Sequence, residues 1–169
     1  MNLDAARTAL FAVGALLLPV GACALERGAT VPAPPVSRPD GSAFDWSTTR
    51  GKVVLVDFWA SWCGPCRQAL PAYDAMAKRH ADAGFVVLGV NVDEQRADAD
   101  RFLKAVPVAF TVVFDSGGKA PEAYGVKAMP SSYLVGRDGK VRAVHLGFKP
   151  SDADKIEAEV RAALAEEAP

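Results

Sequence analysis

Two cysteines separated by two residues lie between a predicted buried strand and a predicted long helix. The strand covers Val53–Trp59, a run of β-branched, leucine and aromatic residues typical of a strand buried on both faces. The helix covers Pro65–Ala83, where apolar side chains recur at steps of three or four residues before Gly84. Cys63 and Cys66 therefore fall at the start of the helix, and this context makes the Cys-X-X-Cys spacing a strong motif.

The alternation of strand and helix continues along the chain and indicates an α/β fold. A second buried strand is predicted over Phe85–Val92, followed by a helix that Asp93 caps and that runs to about Val106. A third strand covers Phe110–Phe114, and Ala43–Trp46 is predicted as an N-terminal edge strand. A strand, a helix and a second strand in this order favour a right-handed parallel crossover.

The C-terminal part of the chain has the pattern of a hairpin followed by a helix. A short helix is predicted over Ala120–Tyr124, and strands over Ser132–Val135 and Val141–Phe148 flank the turn Arg137–Lys140. A last helix begins near Ser151. The whole pattern predicts a central mixed sheet flanked by helices.

Residues 1–22 are predicted to be an export signal, because they contain a short apolar stretch that ends in small residues. The sequence Val-Gly-Ala-Cys at 20–23 resembles the bacterial lipobox, in which the cysteine, here Cys23, receives a lipid and anchors the protein to the membrane. Two alternatives stay open: a soluble exported protein cut near Ala22 or Ala24, and an uncleaved anchor. All three place the domain outside the cytoplasm.

Residues 23–40 are predicted to be a proline-rich linker, and residues 41–167 a single domain. The linker holds Pro32, Pro34, Pro35 and Pro39, a density that favours a stiff, extended chain. Half of the residues are apolar, which is enough for a core, and the net charge of −1 argues against a nucleic-acid partner. Three cysteines are too few for a domain held together by disulfides.

The spacing of the cysteine pair suits thiol–disulfide exchange. A helix N-terminus presents unpaired N–H groups and the positive end of the helix dipole, which lower the pKa of a cysteine thiol. Cys63, at the exposed end, is the predicted nucleophile, and Cys66, one turn further in, is the predicted resolving thiol. Pro65 suits a first helical turn. The redox group would then be the cysteine pair itself, with no separate cofactor.

Metal binding is the alternative interpretation of the cysteine pair. A zinc site needs four ligands, and the remaining candidates are Cys23, His80 and His145, which have no paired spacing. Copper delivery is a nearer rival, although His145 falls within a predicted strand. No metal site is predicted.

Asp57 is a carboxyl group inside an apolar strand, where burial is expected to raise its pKa. It lies six residues before Cys63 on the strand that leads to the active helix. We expect it to relay protons to or from Cys66, directly or through one water. A purely structural role is the alternative.

The segment Val54–Arg67 resembles the active-site segment of the thioredoxin superfamily, and the strand and helix between Phe85 and Val106 resemble an insertion of its exported TlpA/ResA-type branch. The resemblance implies a thioredoxin-like fold and a Cys63–Cys66 redox couple supported by Trp62 and Gly64. It also implies a cis peptide bond before Pro130, which follows Met129 beside the disulfide.

The same resemblance implies a function and its partners. Members of this branch are extracytoplasmic thiol–disulfide oxidoreductases, commonly reductants in cytochrome c or copper-oxidase assembly. The expected partners are exported client proteins that contain disulfides and a membrane thiol-reductant donor. A copper-delivery or redox-inert interaction module on the same fold is the alternative function.

Two positions depart from the pattern of the branch. Ala69 stands where many members carry Glu, and Asp57 stands where Asn is common. The proton acceptor for Cys66 is therefore expected to be Asp57 alone, and a narrow cytochrome c specificity is not implied.

Overall fold

The computed structural model describes residues 24–167, so the predicted export signal and Cys23 lie outside the described part of the chain. Five strands form one sheet: β1 Val53–Trp59, β2 Phe85–Asn91, β3 Thr111–Phe114, β4 Ser131–Val135 and β5 Val141–Leu146. Four α-helices accompany them: α1 Cys66–His80, α2 Arg96–Ala105, α3 Lys119–Tyr124 and α4 Ala153–Leu164. No helix in this range is both long and apolar enough to cross a membrane.

The sheet is mixed, with strand order β3-β2-β1-β4-β5. Strands β1, β2 and β3 run parallel, while β4 is antiparallel to both β1 and β5. Strand β1 lies at the centre, and all seven of its residues are buried. This arrangement confirms the predicted mixed sheet flanked by helices.

The two faces of the sheet are covered by different helices. On one face Val53 and Leu55 of β1 pack with apolar residues of α1 and α4. On the other face Val54, Val56 and Phe58 pack with the short helix α3 and residues near the N-terminus. Because side chains alternate along a strand, Asp57 and Trp59 project from the first face, toward α1.

The N-terminal segment was predicted to contain an edge strand over Ala43–Trp46, and this prediction is wrong. A 3₁₀ turn occupies Trp46–Thr49, and Ala43 forms only an isolated bridge with Ser37. Asp45 caps the turn by accepting a hydrogen bond from the backbone N–H of Ser47. The local side-chain cap of Asp45 thus competes successfully with strand pairing.

The proline-rich segment is extended, but it packs on the domain and does not act as a free linker. Val36 is buried, and the indole N–H of Trp46 donates a 2.7 Å hydrogen bond to the Pro34 carbonyl. Backbone N–H groups of the segment also donate to Tyr124, Val141, Gly139 and Phe114. Proline limits which N–H groups can pair but leaves the carbonyl groups free to accept hydrogen bonds. The described domain therefore begins well before residue 41.

Candidate active site

Cys63 and Cys66 form a disulfide between the end of β1 and the first turn of α1. The helix begins at Cys66, with Pro65 as its N-cap. The Pro65 carbonyl accepts hydrogen bonds from the backbone N–H groups of Gln68 and Ala69. The predicted start at Pro65 is thus off by one residue, and Pro65 holds the helical backbone conformation that the first turn requires.

The first free N–H group of α1 is directed at the outer sulfur. The backbone N–H of Cys66 donates to Sγ of Cys63 over 3.3 Å. An N–H donor and the positive helix end both favour a charged sulfur over a protonated one. The geometry therefore stabilises the thiolate of Cys63 in the reduced protein.

The two sulfurs differ in their access to a partner. Cys66 is fully buried, whereas Cys63 retains 4% of its surface. The expectation that Cys63 is well exposed is wrong, because the apolar cluster of Trp59 and Leu70 surrounds both cysteines. Trp62 is 68% exposed beside them and presents an apolar surface to solvent.

Asp57 is completely buried, and neither of its carboxyl oxygens has a hydrogen-bond partner. Burial raises the pKa of Asp57 well above its usual range. The carboxyl projects toward α1, whose buried face carries Cys66 and, two turns later, Tyr73. An unpartnered carboxyl group in a core costs stability, and a buried group with so perturbed a pKa is a candidate for proton transfer.

The neighbours of Asp57 in the sheet are small residues. Gly89 on β2 and Ser132 on β4 are its two partners in register. A Cβ atom at Gly89 would lie 2.8 Å from the Phe110 ring and 3.1 Å from the indole nitrogen of Trp59. Only glycine fits between these rings and the strand.

Asp93 was predicted to cap α2, and this prediction is wrong. Helix α2 begins at Arg96 with Gln95 at its N-cap. The Asp93 carboxylate instead accepts hydrogen bonds from the backbone N–H and the hydroxyl of Ser61, at 2.9 and 2.8 Å, and from the Asn91 amide at 2.7 Å. It thereby fixes the loop that leads to Trp62 and Cys63. Sequence reasoning missed this role because the two residues are 32 positions apart.

The peptide bond between Met129 and Pro130 is cis, as the resemblance implied. Met129 packs against the apolar cluster that contains both cysteines. The Pro130 carbonyl accepts a 2.8 Å hydrogen bond from the backbone N–H of Gly147. The chain before β4 is therefore fixed beside the disulfide.

Both histidines are bound to glutamates. Nε2 of His80 lies 2.9 Å from Glu157, and Nε2 of His145 lies 2.6 Å from Glu159. Residues 24–167 hold no group of three His, Cys, Asp or Glu side chains arranged to bind a metal. Cys23, the third cysteine considered as a ligand, lies outside this range.

A dithiol pair at the junction of a central strand and a helix, beside a cis-proline loop, defines a thiol–disulfide oxidoreductase with a thioredoxin-like fold. The model of the Redoxin family matches residues 27–164, so the chain belongs to that family. Within the thioredoxin superfamily it is a TlpA/ResA-type protein-disulfide oxidoreductase.

Known relatives are similar over most of the described domain. "Thiol-disulfide oxidoreductase ResA" from Bacillus thuringiensis is 30% identical over 117 residues, which cover 69% of this chain and 68% of the relative. A crystal structure of a thiol:disulfide interchange protein, DsbE, from Chlorobium tepidum is 44% identical, with a TM-score of 0.81 over 84% of this chain and all of the other. A Bacteroides thiol:disulfide interchange protein is 26% identical, with a TM-score of 0.71 over 81% of this chain and 91% of its own.

Proposed function

We propose that this oxidoreductase works outside the cytoplasm as a reductant of disulfides in exported proteins. The observation that carries the proposed exchange chemistry is the asymmetry of the cysteine pair. Cys63 has the helix N–H and the remaining exposure, whereas Cys66 is fully buried on the helix face that Asp57 projects toward. Such a pair suits an attacking thiolate and a shielded resolving thiol.

Reduction of a client proceeds in two exchange steps. The Cys63 thiolate attacks one sulfur of the client disulfide, and the other client sulfur leaves as a thiolate that takes a proton from water. Asp57, as a carboxylate, accepts the proton of the Cys66 thiol. The Cys66 thiolate then attacks Sγ of Cys63, forms the intramolecular disulfide and releases the second client thiolate. Two electrons pass from the cysteine pair to the client.

The proposed location rests on the N-terminal sequence. The export signal of residues 1–22 and the lipobox-like sequence at Cys23 support a bacterial periplasmic or membrane-surface protein that carries a lipid anchor. A membrane thiol reductant would then restore the dithiol. Cytochrome c or copper-oxidase assembly is the proposed setting, and the resemblance to the TlpA/ResA branch supports it.

Trapping of clients tests the proposal directly. In the Cys66→Ser variant, Cys63 still attacks a client but no buried thiol releases it, so mixed disulfides should accumulate. The matched Cys63→Ser variant should trap little, because buried Cys66 has no access to a large partner. Non-reducing gels of both variants, expressed in the native compartment, show the adducts, and mass spectrometry names the clients.

The contrary outcomes are specific. Adducts on Cys66 in place of Cys63 would reverse the two roles. Adducts on neither would favour a copper-delivery or redox-inert interaction module, which a copper titration then tests. A reduction potential above about −150 mV would contradict a reductant, since thioredoxin lies near −270 mV and the oxidant DsbA near −120 mV.

A further inference from the structure

The chain that leads to the proposed lipid anchor is fixed to the domain from its first described residues. The backbone N–H of Leu25 donates a 3.2 Å hydrogen bond to the carbonyl of Tyr124, and the N–H of Gly28 donates a 2.8 Å bond to that of Val141. Leu25 is partly buried and packs against the apolar cluster that contains Tyr124. The fixed part of the domain therefore begins within two residues of Cys23.

This short connection limits how far the anchor can lie from the domain. Consecutive Cα atoms are about 3.8 Å apart, so the Cα atom of Cys23 lies within about 8 Å of that of Leu25. In the proposed function a lipid on Cys23 enters the bilayer, and the same limit applies to an uncleaved anchor that ends at residue 22. The surface around Leu25 is then held at the membrane.

The surface around Leu25 belongs to the outer side of β5. Leu25 and Val144 line the same surface cavity. Strand β5 is the last strand of the sheet, and the N-terminal segment pairs with its beginning, at Val141. The remaining residues of the strand, 143–146, have no strand on their outer side within the described part of the chain, and they are called the β5 edge.

The β5 edge ends in an exposed leucine. Leu146 is 67% exposed, and among the described residues Trp62 is the only other large apolar side chain that is so exposed. A single exposed apolar residue is common and is not by itself evidence of a partner. Its position is informative, because Leu146 lies two residues, about 7 Å, along the strand from Val144 beside the anchor point. The anchor and Leu146 therefore lie on the same side of the domain.

The β5 edge also lies near the disulfide. Leu146 is opposite Ser131, which follows the cis-proline Pro130. Met129, on the other side of that proline, packs against the apolar cluster that contains both cysteines. Strand β1, which leads to Cys63, is two strands away from β5, a distance of roughly 10 Å. A membrane along the β5 edge would therefore lie close to the redox centre.

We propose that the β5 edge lies against the lipid bilayer in the anchored protein, an inference that rests on the membrane anchor of the proposed function. Leu146 enters the boundary between headgroups and acyl chains, where its side chain leaves water. The cavity beside Leu25 carries both acidic and basic side chains, so the contact does not depend on the charge of the lipid. Two points of contact, the anchor and Leu146, limit the rotation of the domain and keep the disulfide within reach of a membrane thiol reductant.

Hydrogen exchange of the full-length protein, extracted from membranes and reconstituted in vesicles of phosphatidylethanolamine and phosphatidylglycerol, tests this orientation. The comparison protein carries an insertion of about 20 glycine and serine residues after Ala24, which keeps the anchor but adds a flexible linker with a mean span of about 25 Å. We expect amide exchange in the β5 edge to be about 10-fold slower in the wild type than in the insertion variant. Exchange in β3, at the opposite edge of the sheet, should be the same in both. Both proteins should reduce insulin in solution at the same rate.

Two point variants provide a matched comparison of the two edges. Leu146→Glu places a charge on the β5 edge, and Thr111→Glu places the same charge at an exposed position of β3. Leu146→Glu should raise exchange in the β5 edge toward that of the insertion variant, because a carboxylate does not enter the apolar part of the bilayer. Thr111→Glu should leave exchange in the β5 edge as in the wild type.

Equal exchange in the anchored wild type and the insertion variant would overturn the proposal, and so would equal effects of the two point variants. Protection of the β5 edge that persists in the insertion variant and grows with protein concentration would assign the edge to a second copy of the chain and also overturn it. A mature protein recovered without any anchor would overturn the proposed anchor and this inference with it. An anchored protein with an unprotected β5 edge would overturn this inference alone, so the two failures are distinguishable.

Discussion

Two buried aspartates at the same end of the molecule have opposite surroundings. Asp93, in the loop after β2, accepts three hydrogen bonds from Ser61 and Asn91. Asp57, inside β1, accepts none. Both are nearly or fully shielded from water, at 5% and 0% exposure. Burial alone therefore does not distinguish a structural carboxylate from one available for proton transfer, whereas hydrogen-bond partners do.

The difference follows from where each side chain leaves the backbone. Loop residues can turn toward neighbouring N–H groups, and Asp93 in this way accepts hydrogen bonds from the loop before the disulfide. Strand residues project into the space between sheet and helix, where the backbone groups are already paired. Asp57 lies opposite Gly89 and Ser132 in the sheet, and its carboxyl oxygens have no hydrogen-bond partner. The carboxyl group is therefore free to take up or release a proton.

Loss of the Asp93 carboxylate should give the largest loss of stability. In Asp93→Ala the N–H of Ser61 and the amide of Asn91 lose their acceptor, which costs about 3 kcal/mol of unfolding free energy. Urea unfolding of the oxidised protein measures it. Asp82→Ala, at an exposed aspartate, should stay within about 0.5 kcal/mol of wild type. Equal effects of the two changes would mean that the Ser61 contacts are not stabilising.

Gly89→Ala should destabilise the face of the sheet on which Asp57 lies. The added Cβ lies 2.8 Å from the Phe110 ring, and overpacking of this kind costs about 1–3 kcal/mol. Gly117→Ala is the control, because its Cβ would come no closer than 3.6 Å to Asp115. Thermal unfolding separates them, and a Gly89→Ala protein as stable as the control would show that the two rings move aside freely.

Ser61→Ala tests one of the three hydrogen bonds to the Asp93 carboxylate. It removes the hydroxyl donor but keeps the backbone N–H bond to the carboxylate, so the loss should be about 1 kcal/mol. The difference from Asp93→Ala then measures the remaining donors. A loss as large as that of Asp93→Ala would assign the whole effect to one hydroxyl.

The stability of Asp57→Asn should depend on pH. The pKa of Asp57 is raised by burial above its ordinary 3.8, so above that pH the folded chain retains a proton that the unfolded chain has released. The stability that Asp57 contributes to the wild type is fully present below the ordinary pKa, and it is lost as pH rises through the raised pKa. Asparagine removes this loss, so thermal unfolding should show the variant becoming more stable relative to wild type as pH rises above the ordinary pKa of 3.8.

Glu157 is the control, because its pKa is shifted in the opposite direction from that of Asp57. Hydrogen bonds from Arg79 and His80 lower its pKa to about 2, so its contribution is complete above the ordinary 4.5 and is lost as pH falls toward 2. Glu157→Gln should therefore be less stable than wild type at neutral pH, and the difference in stability should shrink in acid. The same pH dependence for both variants would contradict the assignment of Asp57 as an unpartnered buried carboxyl.

Local patterns in the sequence predicted much of the fold. The predicted bounds of β1 coincide with the observed strand, because six of its seven residues are apolar and are stabilised by burial. The hairpin of β4 and β5 forms around Asp138 and Gly139, where Gly139 has φ of 76°. The prediction of a strand over Ala43–Trp46 was wrong, because the side chain of Asp45 caps a 3₁₀ turn there.

The active site was predictable where neighbours in sequence make it, and not where distant residues do. The cysteine pair and Asp57 lie on consecutive elements, so spacing placed them together. The contact of Asp93 with Ser61 and the contact of Ser132 with His145 depend on which strands are neighbours and on their register. His145 was predicted to lie in a strand, but no periodic signal indicated that it would oppose Ser132.

The most direct test of Asp57 as the proton acceptor for Cys66 is the pH dependence of client reduction. Stopped-flow or turbidity measurements of insulin reduction compare wild type, Asp57→Asn and Asp93→Asn from about pH 6 to about pH 9. Asp57→Asn should be slower by about 10²-fold at neutral pH and should approach wild type as pH rises and Cys66 ionises unaided. Asp93→Asn should keep the wild-type pH profile even if its rate falls. An Asp57→Asn profile that coincides with wild type throughout would contradict the role of Asp57 and leave it a structural residue.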